Sequence, residues 1–316
     1  MYVGRRLREA AAALPAMSGF LSPAGKSPAR LRQLISQPEP VLAPGAYDAL
    51  SARLIEQAGF PAVYMTGFGT AASLLGRPDV GLVTMSQMVD NARRIAQAVE
   101  VPVIADADTG YGNAINVVQT VHEYERAGVA GIHIEDQVSP KRCGHMEGKQ
   151  VIESGEMAEK IRAAVESRSS PDFVIIARTD ARAVEGLEGA LRRGRIYREA
   201  GADMLFVEAP QSEDEVAAVA RAFPDTPLFF NWLEGGKTPP IPLARLKELG
   251  FRVIIFPLGA VLAVTKALRR LLSHIREDGT PERAAGDMVS FQDFLQVVGL
   301  AEIRQLEERL ANSRAV

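Results

Sequence analysis

The chain has 316 residues, 47% of them hydrophobic and 24% charged, with 27 Gly and 19 Pro, which excludes disorder as the main state and leaves enough apolar sequence for a large core. A net charge of −3 with scattered Lys and Arg gives no footprint for nucleic acid, and no apolar run reaches the ~18 residues of a membrane span. The single cysteine, Cys143, excludes an intrachain disulfide and a four-cysteine zinc site, and it suits a reducing compartment, taken here as the cytoplasm.

The first 33 residues are rich in Arg and Ala with one acid, Glu9. Transit peptides share that composition, but residues 1–27 are read here as a poorly ordered extension. From residue 41 a short β-branched run followed by an amphipathic stretch recurs at roughly 25–30 residue spacing. The strand candidates are 41–44, 62–67, 101–108, 131–136, 173–181, 204–209, 228–234 and 252–259. Each is almost continuously apolar, as a strand buried on both faces must be. Residues 46–58, 113–127 and 187–200 carry helical spacing and stop at Gly59, Gly128 and Gly201. Eight such units predict a (β/α)8 barrel over 28–277. An open doubly wound sheet is disfavoured because no G-x-G-x-x-G turn follows the first strand. Helices are expected at 261–277, 281–287 and 290–310, so 278–316 forms a helical tail surplus to the barrel.

Polar residues gather at the strand C-terminal ends, the face that barrel enzymes use. Asp106 and Asp108 lie two apart, which on one strand points both side chains the same way, and Glu135 ends the next strand. Carboxylates converging there repel one another unless a cation sits among them, and an all-oxygen set selects Mg²⁺ or Mn²⁺. The segment QVSPKRCGHMEGKQV then carries Cys143 beside Lys141, Arg142 and His145, with Gly144 and Gly148 allowing movement. It reads as an active-site lid, and its basic neighbours are expected to lower the thiol pKa.

The segments APGAYDALSARL, YMTGFGTAASLLGRPDVGL, DADTGYGN, IEDQVSPKRCGH, ARTDA, EAP and EGGKTP resemble the isocitrate lyase/phosphoenolpyruvate mutase superfamily over residues 28–312. The KRCGH loop places the likeness in the short branch of 2-methylisocitrate lyase, dimethylmalate lyase and petal-death type proteins. The resemblance implies a barrel whose eighth helix is exchanged between subunits, usually within a homotetramer. It implies Mg²⁺ held by Asp106 directly and by Asp108 and Glu135 largely through water. It implies backbone donors at Thr66, Gly67 and Phe68 for a substrate carboxylate, Arg178 as a clamp, and His133, Glu208, Asn231, Asp79, Arg142 and Gly144 as further pocket residues.

The implied reaction is C–C cleavage of a 2-hydroxy di- or tricarboxylate into a 2-oxo acid, pyruvate or glyoxylate, and a second carboxylic acid. Cys143 gives a proton to the departing carbon, tuned by Lys141 and His145, and Tyr64 is the candidate base. Pro257 follows the methylisocitrate pattern, whereas Phe68, Leu233, Leu262 and the HMEGK sequence depart from it. Those apolar replacements favour an alkylated malate over a tricarboxylate, whose third carboxylate would be left unpaired. Oxaloacetate hydrolysis or decarboxylation is the second enzymatic reading. A phosphonomutase reaction is third and leaves Cys143 without a role. A non-enzymatic scaffold is disfavoured by the intact polar set.

Overall fold

Each strand is apolar on both faces because each face has something to cover it. The computed structural model describes residues 28–312, so the expected N-terminal extension lies outside the described residues. All eight expected strands are present: β1 (Val41–Ala46), β2 (Val63–Met65), β3 (Val103–Asp106), β4 (Gly131–Glu135), β5 (Val174–Thr179), β6 (Met204–Val207), β7 (Leu228–Asn231) and β8 (Phe251–Phe256). They are parallel, and β8 pairs with β1 to close a (β/α)8 barrel. The helices are α1 (Pro28–Ile35), α2 (Ala49–Gln57), α3 (Gly67–Leu75), α4 (Met85–Ala98), α5 (Ala114–Ala127), α6 (Ser154–Ser167), α7 (Arg182–Glu199), α8 (Glu213–Ala222), α9 (Leu243–Glu248), α10 (Gly259–Asp278), α11 (Phe291–Val297) and α12 (Leu300–Asn312).

Side chains alternate with period two along each strand. Residues such as Val103, Ala105, Ile132, Ile134, Ile175 and Ala177 therefore face the helices and join one large core. The alternate set fills the barrel: Val41, Ala43, Tyr64, Ile104, Ile176, Met204, Phe206, Phe229 and Val253 pack as a second cluster. The same alternation, continued upward, turns Asp106, His133, Glu135, Arg178 and Asn231 into the barrel's upper half. Its lower mouth is plugged by α1, whose Leu31 is fully buried among the interior residues. Asp203 fixes that plug by accepting from Arg32 at 2.8 Å and Arg168 at 2.6 Å.

Helix starts follow their caps. The expected helix at 46–58 starts three residues later because β1 runs through Ala46 and Asp48 then forms a capping box with Ser51. Asn113 is the cap of α5, and Gly128 ends it in the left-handed region. Within α7 the backbone is non-helical at Gly186, so its regular part begins at Leu187, where the spacing places it. The single helix expected over 290–310 is two, α11 and α12, separated at Gly299 with φ +82°.

The tail differs from the barrel in burial. No residue of α10 is buried, and Leu262, Val264, Leu268, Leu272 and Ile275 are exposed along it. Arg53 and Gln57 of α2 both donate to the Val297 carbonyl, at 2.9 and 3.1 Å, so α11 returns to the barrel wall. Among the described residues no helix is long and apolar enough to cross a membrane.

Candidate active site

The upper barrel opens into a small cavity that is partly open to solvent. Its wall contains Tyr64, Thr66, Phe68, Asp79, Asp106, Lys141, Cys143, Gly144, His145, Arg178, Glu208 and Asn231, twelve of the residues singled out from sequence. Leu233, Ile255, Pro257 and Leu258 complete it as an apolar side.

Strand register sets the polar floor. Asp106 lies beside His133, and Glu135 beside Arg178. Arg178 Nε is 2.9 Å from Asp180 Oδ2 and 3.2 Å from Glu135 Oε2, and Nη2 is 3.8 Å from Glu208 Oε1. Its guanidinium carbon lies 5.0 Å above the Phe206 ring. Glu208 meets His145 Nε2 at 3.1 Å and accepts from Asn231 at 3.2 Å. Burial works against the Glu208 charge, but Arg178, His145 and Lys149 outweigh it and hold the carboxyl well below its usual range.

Asp108 corrects the sequence reading. Strand β3 ends at Asp106, and Asp108 lies beyond it with φ +47°, its amide bonded to Asp106 Oδ1 at 2.9 Å. The turn, rather than strand alternation, brings its carboxylate back to the site. There Lys141 Nζ sits between Asp79 and Asp108 Oδ1, at 2.6 and 2.7 Å. Burial opposes the Lys141 charge, but Asp108, Asp106 and Asp79 outweigh it and hold the ammonium well above the ordinary lysine value. Burial pushes Asp108 up to about 7 against the pull of Lys141. Glu135 is driven well above the carboxylate range by burial, with Arg178 opposing, and its Oε1 has no hydrogen-bond partner.

Around the cavity, six buried carboxylates (Asp79, Asp106, Asp108, Glu135, Asp180, Glu208) face three buried cations, Lys141, Lys149 and Arg178. That surplus of carboxyl groups over cations, its all-oxygen character and the orphaned Glu135 oxygen fit a hard divalent cation. Among the described residues no three His, Cys, Asp or Glu side chains form a ready-made ligand cluster.

The first turn of α3 faces the same floor. Thr66 caps it by accepting from the Gly69 amide at 3.2 Å, which leaves the early amides of Gly67 and Phe68 without helical acceptors. A Cβ at Gly67 would lie 2.3 Å from Asp106 Oδ2, so only glycine permits this approach. Deeper in the barrel, His133 Nε2 is 2.8 Å from the Tyr64 hydroxyl. Burial lowers His133 to about 4, so the ring is neutral. Burial also raises Tyr64 well above the ordinary phenol value. Tyr64 lines the cavity with its hydroxyl on His133 Nε2, which braces the imidazole.

The lid is a folded loop. Gln137 and Val151 pair across its neck, and the Gln137 side chain bonds both the amide and the carbonyl of Arg142, at 3.0 and 2.8 Å. The Arg142 side chain points away from the cavity, is exposed, and donates to the Glu147 carbonyl at 3.0 Å. Its expected contact with substrate is therefore absent from this arrangement. The Cys143 amide donates to the Asp79 carbonyl at 3.2 Å. Burial pushes the thiol up to about 11, opposed by the His145 amide and aided by Asp79 and Glu208. The expected lowering fails because Lys141 spends its charge on Asp79 and Asp108 and the Arg142 side chain turns outward.

Lys149 and Gln137 were missed from sequence. Lys149 Nζ reaches the Gly144 carbonyl and, at 2.8 Å, Asp180 Oδ1. A lysine just past the second glycine of the lid is the only signal that pointed to it. Leu262, expected near the substrate's third carboxylate, lies on α10, 47% exposed and outside the cavity wall.

Residues 31–276 match the family described as phosphoenolpyruvate phosphomutase. A 2,3-dimethylmalate lyase of Eubacterium barkeri is 49% identical over 286 residues, covering 90% of this chain and 99% of that protein. An oxaloacetate acetylhydrolase in complex with 3,3-difluorooxalacetate superposes with a TM-score of 0.86 at 39% identity, covering 90% of this chain and 96% of that one. A phosphonopyruvate hydrolase in complex with oxalate and Mg²⁺ superposes with a TM-score of 0.82 at 33% identity, covering 90% and 99%. With that coverage, the chain belongs to the phosphoenolpyruvate mutase/isocitrate lyase superfamily.

Proposed function

We propose that the protein is a Mg²⁺-dependent C–C lyase of the cytoplasm, acting on a 2-hydroxy dicarboxylate of the alkylated-malate type. The observation that carries this reading is a cavity at the upper mouth of the barrel whose wall brings Cys143 and Arg178 against an apolar side. Phe68, Leu233, Ile255, Pro257 and Leu258 supply no charge to pair a third carboxylate, and they suit alkyl substituents. A 2,3-dimethylmalate lyase at 49% identity and a 2-methylisocitrate lyase of Aeropyrum pernix at 44% are both relatives, so the choice between the two substrates rests on the cavity wall.

In the proposed mechanism the early amides of α3 and the guanidinium donors of Arg178 that Asp180 does not take hold the two ends of the substrate. Loss of the hydroxyl proton to a base lets the C2–C3 electron pair move onto C3 and its carboxylate. The products are a 2-oxo acid and a carbanion-like acid, which Arg178 stabilises electrostatically. The Cys143 thiol, protonated at neutral pH, then delivers its proton to C3. Asp106, with Asp108 and Glu135, would hold Mg²⁺ or Mn²⁺, and the phosphonopyruvate hydrolase neighbour carries Mg²⁺ in its complex with oxalate. When bound, that ion supplies Lewis-acid pull on the oxygens of the 2-oxo acid. Glu208 and Asn231 orient His145.

The test is a coupled assay of 2-oxo acid release from 2,3-dimethylmalate, other 2-alkylmalates, 2-methylisocitrate, isocitrate and oxaloacetate. One alkylmalate should turn over, lose activity on chelation and regain it with Mg²⁺ or Mn²⁺. Oxalate released from oxaloacetate would instead assign the hydrolase reaction, and activity indifferent to chelation would overturn the metal assignment.

We also propose a homotetramer of helix-exchanged dimers. The stripe Val264, Leu268, Leu272 and Ile275 along α10 is exposed in one chain, at spacings that make a continuous apolar face. A second copy of the barrel is the occupant that the family resemblance implies. Light scattering should give four chain masses for the wild type and fewer for Leu268→Glu/Leu272→Glu. A wild-type mass of one chain would refute the exchange.

A further inference from the structure

We propose that Lys149 is a positioning residue that latches the lid over the cavity, and that Asp180 joins this latch to the Arg178 clamp as one unit. The proposal rests on the cavity being the active site. Lys149 is an ammonium with three donors. It uses one on the Gly144 carbonyl and one on Asp180 Oδ1, with its side chain only 2% exposed. Asp180 is fully buried and takes the Arg178 fork on both oxygens, Nε at 2.9 Å and Nη2 at 3.2 Å. The same carboxylate therefore fixes the lid and aims the guanidinium.

Asp180 is a rigid post. Its amide donates to Asp136 Oδ1 at 2.9 Å. Asp136 Oδ2 in turn accepts from Thr179 and Tyr197, both at 2.7 Å, and is paired with Arg193. The lid has no slack where Lys149 grips it. A Cβ at Gly144 would lie 2.2 Å from Glu208 Oε1 and 2.4 Å from Arg178 Nη2. Any outward shift at Lys149 must carry Gly144 and the adjacent Cys143 with it. The outer contacts of the lid are weaker. Glu147, paired with Lys237, is 89% exposed, and a solvent-exposed ion pair contributes little. The latch that decides lid position is the buried one.

Cys143 is the only cysteine, so its alkylation by iodoacetamide reports lid opening without reference to any substrate. In Lys149→Met, labelling should accelerate about tenfold or more as the open lid becomes populated, while Glu147→Gln stays within about twofold of wild type. In the lyase assay, kcat of Lys149→Met should fall more than KM rises, because the proton donor is displaced rather than the binding groups. Should Lys149→Met fail to fold by circular dichroism, Lys149→Arg reads the same latch. Its larger head cannot replace the ammonium against the Gly144 carbonyl, and labelling should rise by about threefold. Unchanged labelling in a folded Lys149 variant, or an equal rise in Glu147→Gln, overturns the latch. Faster labelling in an enzyme silent on every substrate keeps the latch and sinks the lyase reading.

Discussion

Cys143→Ser is expected to cut the turnover of 2-oxo acid release by about 10²–10⁴-fold, the range set by loss of a positioned general acid. KM and the melting temperature should change little, because serine nearly matches the thiol in size and leaves the loop's backbone bonds to Asp79 and Gln137 intact. Burial pushes the thiol to about 11, so the proton-carrying form dominates at every pH below that value. A step that uses the thiol as an acid therefore keeps its donor through neutral pH and loses it only as pH climbs toward 11. The same shift predicts that iodoacetamide alkylation of Cys143 rises about tenfold per pH unit between about pH 7 and 10, without a plateau. A plateau near neutrality would mean a stabilised thiolate, which is a nucleophile and a poor proton donor. Retention of kcat within about threefold in Cys143→Ser would remove Cys143 from the chemistry and return the phosphonate reaction to consideration.

The barrel was legible because its signal is repeated. Eight apolar runs, with three of the intervening helices ending in Ala-Gly, leave little freedom of fold, and the polar residues at strand ends inherit their inward direction from the period of two. Asp106, Glu135 and Arg178 were readable in that way. Asp108 was placed by the wrong argument, since its direction comes from a left-handed residue past the strand end. The lid was harder. Its residues were identified, but charge in a line of sequence says nothing about which carboxylate claims which cation. Lys141, adjacent but one to Cys143, is committed to Asp79 and Asp108. Lys149, six residues away, holds the peptide beside the thiol. Asp79 and Asp180 come from other βα loops and meet these lysines only after the barrel has closed. The tail was read as helix throughout, but the break at Gly299 was lost because apolar spacing continues across it.

Arg178→Met should be both inactive and destabilised by about 3–5 kcal/mol in urea unfolding, the usual cost of leaving a buried charge without its partner. The guanidinium touches three carboxylates, Asp180, Glu135 and Glu208, none more than 1% exposed. Its removal worsens an already negative site; Lys149 still faces Asp180, but Glu135 and Glu208 lose the guanidinium and Lys141 is held by Asp79 and Asp108. Arg178→Lys separates charge from geometry. It retains one positive charge near the three carboxylates, so its stability loss should be smaller than that of Arg178→Met. It loses the fork that meets Asp180 on two oxygens and presents a planar face to Phe206. A point charge on a flexible stem cannot reproduce either contact. If Arg178 orients the substrate carboxylate, Arg178→Lys should lose about 10²-fold or more in kcat/KM, as a misplacement of about 1 Å does elsewhere. Near wild-type kcat/KM in Arg178→Lys would mean that only charge is required at this position. The clamp would then have to be sought among the amides of α3 and His145.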